Sequence, residues 1–67
     1  MRGWLKEART ERWLTLKDVA ENLDITESYY CMIENGERQR KMDIVLARKL
    51  SDLFSIPLQK ISELEDE

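Results

Sequence analysis

"TLKDVAENLDITESYYCMIENG", residues 15–36, reads as two short helices with a break between them. Val19, Ala20 and Leu23 fall at helical spacing. Thr15 stands where an N-cap belongs, and Asp18 three residues on makes a weak capping box. Tyr30, Ile33 and Glu34 form the next stripe, opened by Thr26 as N-cap and stopped by Gly36. About three residues, Asp24, Ile25 and Thr26, lie between the two segments. A turn that short suits two crossing helices better than an antiparallel hairpin. The second helix carries no Lys and no Arg, and its charges are Glu27 and Glu34.

The same periodicity continues on both sides. Leu5, Ala8, Arg9 and Arg12 fall at i, i+3, i+4 and i+7 upstream. Downstream, Ile44, Ala47, Leu50, Ser51 and Phe54 make a fourth stripe with Asp43 as N-cap, and Leu58, Ile61 and Leu64 a fifth, with Pro57 in its first turn. The spacing predicts helices near 3–12, 16–23, 27–35, 44–54 and 58–64, with little strand-like alternation. The fold class expected is all-α, one compact five-helix domain over 1–67, with a helix-turn-helix at about 15–35 and an acidic tail at about 63–67. Trp4 and Trp13 are expected in the core or at its edge, and Tyr30 and Cys31 as packing residues. Arg9 and Glu34 each put a charge on an apolar stripe. Such charges are costly to bury alone and tolerable as a pair, so the two are expected to meet or else to snorkel to solvent.

Composition excludes several classes. The 67 residues are 42% hydrophobic and 37% charged, a globular balance. One Cys and no His leave no disulfide framework and no His/Cys metal cluster within the chain, and a lone thiol fits a reducing cytoplasm. No signal-like block or apolar run of membrane-spanning length occurs, so a cytoplasmic protein with no membrane partner is expected. Without His, and without a Ser or Cys beside a plausible base, an enzyme is not expected. Nor is a metal, a cofactor or a small-molecule ligand, since so small a domain has little room for a pocket. The net charge is −3, from 11 bases and 14 acids. Setting aside the final "ELEDE" with its four acids leaves 10 acids against 11 bases, a net of +1. The acidity is a tail effect, and the tail is expected to be frayed and solvated. The densest basic cluster is "GERQRKMD", residues 36–43, with Arg38, Arg40 and Lys41.

The pattern Leu5 and Arg9, Leu14-Thr15, Val19-Ala20, Leu23, Ile25, then "SYY", "IENG" and "LFSIP" resembles the lambda-repressor-like, Cro-type (XRE-type) helix-turn-helix family over roughly residues 5–61. The resemblance implies a salt bridge between Arg9 and Glu34. It also implies that the third helix lies in the major groove of double-stranded DNA. Carried over by position, Glu27, Ser28, Tyr29 and Met32 are the base-facing candidates. Glu27 would accept from cytosine N4 and Met32 would touch a thymine methyl. Thr15, Leu16 and Lys17 at the start of the second helix, Asn35, and Arg38, Arg40 and Lys41 of the loop would follow the phosphates.

The sequence departs from the family at several points. Leu16 stands where Gln is common, Asp24 where a turn Gly needs positive φ, and Trp13 in place of a helix-ending Gly, and the loop 36–43 is about two residues longer than usual. The function expected is a transcriptional regulator, a repressor binding a palindromic operator as a homodimer, with Leu58, Ile61 and Leu64 as dimer candidates. The alternative is a protein-interaction module of the same fold, antirepressor-like or antitoxin-like, with little DNA binding.

Overall fold

The structure, a computed structural model, describes residues 2–66. Five helices follow one another: α1 Gly3–Glu11, α2 Leu16–Leu23, α3 Glu27–Asn35, α4 Ile44–Phe54 and α5 Leu58–Glu65, with no strand among the described residues. The end of the expected tail, residue 67, and the first residue of the expected domain lie outside the described residues.

Local chemistry sets the helix starts. The Thr15 hydroxyl accepts the Asp18 N–H, and the Asp18 carboxylate accepts the Thr15 N–H in return, a complete capping box. The Thr26 hydroxyl accepts from Tyr29 N–H, and the Asp43 carboxylate from Val45 N–H. Pro57 sits one place earlier than expected, as the N-cap of α5 rather than inside its first turn.

The ends of α1 to α4 share one device. Trp13, Asp24, Gly36 and Ser55 all take the left-handed backbone, with φ of 57°, 60°, 82° and 55°. After α1, the Trp13 N–H donates to the Thr10 carbonyl and the Leu14 N–H to that of Arg9. This paired pattern satisfies carbonyls that a helix end leaves open. It recurs after α2 through Asp24 and Ile25, and after α3 through Gly36 and Glu37. Glycine takes the left-handed seat at little steric cost, and here it fills one of the four.

The core is assembled from one face of each helix: Leu5 and Ala8 from α1, Val19, Ala20 and Leu23 from α2, Tyr30 and Ile33 from α3, Ala47, Leu50 and Phe54 from α4, and Ile61 from α5. Arg12 folds over the Phe54 ring, 5.2 Å from its centroid, and donates to the Phe54 and Ala8 carbonyls, tying α1 to the end of α4.

Four expectations need correction. Trp13 is 93% exposed, because its left-handed backbone lets the chain turn and return Leu14 to the core while the indole faces outward. Ile44 is 60% exposed, since α4 begins before it reaches the packed layer. Ile61 is 1% exposed and fully used by the core, so it is removed from the dimer candidates. The segment expected to fray is helical through Glu65, whose half-buried carboxylate accepts from Arg2 and from the Trp4 indole.

Candidate nucleic-acid interface

Arg9 and Glu34 meet. Arg9 Nε donates to Glu34 Oε2 at 3.0 Å and Nη2 to Oε1 at 3.1 Å, a two-pronged pair, while Nη1 reaches the Leu14 carbonyl at 2.9 Å. The hydrogen bond to Glu34 raises the Arg9 pKa further, so the guanidinium stays charged. One side chain thereby joins the end of α1, the entry to α2 and the end of α3. Glu34 is buried, so its charge is spent inside. The Tyr30 hydroxyl lies beside this pair without hydrogen-bonding geometry to it. Burial first, and then the Glu34 charge, push its pKa upward, so the phenol stays neutral.

With Glu34 turned inward, the outward side of α3 is small and mostly neutral. Glu27, Ser28 and Asn35 are exposed, and Met32 is half-buried. Tyr29 is half-buried rather than free. Its ring packs against the core, and its hydroxyl accepts from Gln39 Nε2 at 2.9 Å, which ties the helix to the loop. Cys31 is half-buried with its sulfur 3.7 Å from Asn35 Nδ2.

At the start of α2, Thr15 and Lys17 are exposed, but the Thr15 hydroxyl is engaged in its own cap. Leu16 packs against the core, so what it has for an anion is its backbone N–H, not its side chain. The Asp18 carboxylate lies at the same helix end, and its pKa is lowered by the Thr15 N–H and hydroxyl. It stays negative where a phosphate was expected to dock.

The loop 36–43 is ordered by side chains. Gln39 has φ 56°; its side chain donates to Tyr29 and accepts from the Asp43 N–H at 3.0 Å. Arg38, Arg40 and Lys41 project from it, all exposed. Behind them lies Arg2, 7% exposed, bonded to the Ile33, Arg38 and Gln39 carbonyls and to Glu65. Sequence reasoning missed Arg2, Gln39 and Glu65. Glu65 had a signal: it follows Ile61 by four and Leu58 by seven, a charge on an apolar stripe like Arg9 and Glu34. Arg2 and Gln39 lie outside any stripe and gave none.

Of the dimer candidates, Leu58 is 37% exposed and Leu64 half-buried. Leu58 and Ile44 line one groove that runs between the start of α4 and the length of α5, with Arg40 and Lys41 of the loop at its edge. No cluster of His, Cys, Asp or Glu able to hold a metal occurs among the described residues, and no helix there is long and apolar enough to cross a membrane.

A short first helix bound to α3 by an Arg–Glu pair, two consecutive packed helices α2 and α3 joined by a short turn, and a basic loop after α3 define a helix-turn-helix domain. The profile of the helix-turn-helix domain family matches residues 4–67, and the chain belongs to that family, in its XRE-like branch. It is similar to the uncharacterized HTH-type transcriptional regulator YqaF of Bacillus subtilis strain 168, with 40% identity over 52 residues. That match takes in 78% of this chain and 66% of YqaF, just under two thirds of that protein. No solved structure matches the chain significantly.

Proposed function

We propose that this chain is a sequence-specific DNA-binding transcriptional regulator, a repressor that reads a palindromic operator in the cytoplasm as a homodimer. The observation that carries the reading is the Arg9–Glu34 pair, which removes an acid from the outward side of α3 and fixes that helix to α1, leaving the exposed basic loop directly after it. Ser28 and Met32, with Glu27 at the first turn, are assigned to base edges in the major groove. Tyr29 is assigned a part in holding the loop as well as a place near the bases. Arg38, Arg40, Lys41 and Asn35 are assigned to phosphates, with Lys17 and the free backbone N–H groups of α2 as the upstream contact. Thr15 serves that contact as a cap.

One unit of this size covers a few base pairs, so a two-fold pair with half-sites about one helical turn apart supplies affinity and reach. The dimer surface proposed is Leu58 with Ile44; Leu64 lies on another side of α5, beside Trp4 and Ala8. The rival reading, an antirepressor-like or antitoxin-like protein module, is favoured by the absence of Lys and Arg from α3. Selection from a random-sequence DNA pool separates the two. The expected result is enrichment of a palindrome, with binding that falls steeply with salt, by about 0.9 in the log–log slope per phosphate contact. Arg38→Ala and Arg40→Ala weaken binding on all sequences and flatten the slope, whereas changes at Ser28 and Met32 alter which bases are preferred. Leu58→Glu leaves a folded monomer in sedimentation and weakens binding to the full palindrome. A pool that shows no enrichment at low salt hands the case to the rival.

A further inference from the structure

Arg2 stands apart from the exposed cations of the loop. Its guanidinium is enclosed, with the side chain 8% exposed, and its donors are distributed over three elements. Nε donates to both carboxylate oxygens of Glu65 on α5, at 2.9 and 3.0 Å. Nη1 donates to the Ile33 carbonyl in the last turn of α3 at 2.6 Å and to the Arg38 carbonyl in the loop at 3.1 Å. Nη2 donates to the Gln39 carbonyl. The Arg2 backbone N–H donates to the Glu34 carbonyl at 2.8 Å. Glu65 is steadied in turn by the Trp4 indole N–H at 2.8 Å. Lys has one ammonium point and no planar fork, so it cannot make this set of bonds.

The segment that Arg2 holds is the one bearing Arg38, Arg40 and Lys41. Its carbonyls at Arg38 and Gln39 face the Arg2 fork, so its cation-bearing side chains leave from a fixed backbone. Gln39, in the left-handed conformation, is gripped from the other direction by Tyr29 and by the Asp43 N–H. Pre-ordering a binding loop removes the entropy that ordering it on the ligand would cost.

We propose that Arg2, clasped by Glu65, is a positioning residue for phosphate binding: it fixes the loop 36–43 against the end of α3 so that Arg38, Arg40 and Lys41 meet the DNA backbone already arranged. The phosphate half of this statement rests on the DNA-binding reading; the loop-ordering half does not.

Charge provides an unusual discriminator. Glu65→Gln makes the chain less acidic, so bulk electrostatics alone would tighten DNA binding. The clasp predicts the opposite sign. Arg2→Lys keeps the charge and loses the fork. Both variants of the full chain, with wild type, are compared by NMR hydrogen exchange of the Trp4 indole and of the Asp43 amide, and by DNA titration across a salt series at temperatures where circular dichroism shows each folded. The expected result in both variants is Asp43 exchange faster by about tenfold, and DNA dissociation constants raised about threefold or more with a salt slope flatter by about one contact's 0.9. If Glu65→Gln frees the Trp4 indole while loop exchange and DNA affinity hold or improve, the proposal is overturned. Wild-type behaviour of Arg2→Lys overturns it too, because charge without the fork would then suffice. Should Arg2→Lys fail to fold, Glu65→Gln carries the test. If wild type binds no DNA, the phosphate role falls with the DNA reading, and the exchange data still decide whether the clasp orders the loop.

Discussion

Trp13 holds a backbone that suits glycine and shows its indole to solvent. A bulky L-residue at positive φ carries strain of about 1–2 kcal/mol, and exposure returns none of it through burial. Trp13→Gly should therefore make the domain about 0.5–1 kcal/mol more stable, after allowing for the extra freedom glycine gives the unfolded chain. Urea unfolding measures it, and a loss of stability would mean that the indole contributes to the fold. The family resemblance pointed to a missing glycine at this position, but not to where the side chain goes. An aromatic in a short sequence reads as core by default, and only the handedness of the backbone here turns it out. Arg9 and Glu34 were legible for the opposite reason: each put a charge on a stripe that had to be buried, and burial required a partner.

Helix by helix, the caps were the most readable feature, because each needs one particular side chain at one particular place. The capping box of α2 also provides a pH test. Asp18 has its pKa lowered by the Thr15 N–H and hydroxyl, so its contribution is full above the ordinary carboxylate range and fades as acid protonates the folded protein. Asp18→Asn should be less stable than wild type at pH 7, and the two should converge well below about pH 4. Thermal unfolding across that range is the measurement; a gap that stays constant in acid would remove the carboxylate from the cap. The extents of α2, α3 and α4 follow directly from cap and stop residues. The expected end of α5 fell one residue short, at 64, because Glu65 read as part of a solvated tail although it stands on the Leu58–Ile61 stripe and bonds Arg2.

At the scale of the whole molecule, five stripes facing one centre sufficed to give the class of fold, because a chain this short has few ways to bury all of them. The candidate site was legible where it is local, in the sequence of α3 and in the charge of the loop. Legibility was lost where the site depends on distance along the chain: on Gln39 reaching Tyr29, and on Arg2 reaching residues 31 to 63 positions away. Arg2 and Glu65 join the two ends of the described chain, and joining ends so far apart costs closure entropy that neighbouring helices do not incur. That bond should thus form after the folding barrier has been crossed. It acts as a latch: Glu65→Gln should quicken unfolding and leave the folding rate nearly unchanged in stopped-flow chevrons. A slower folding limb would place the bond in the nucleus instead. The lifetime of the native state would then be set by one bond between residues 63 positions apart, outside the packed faces that build the core.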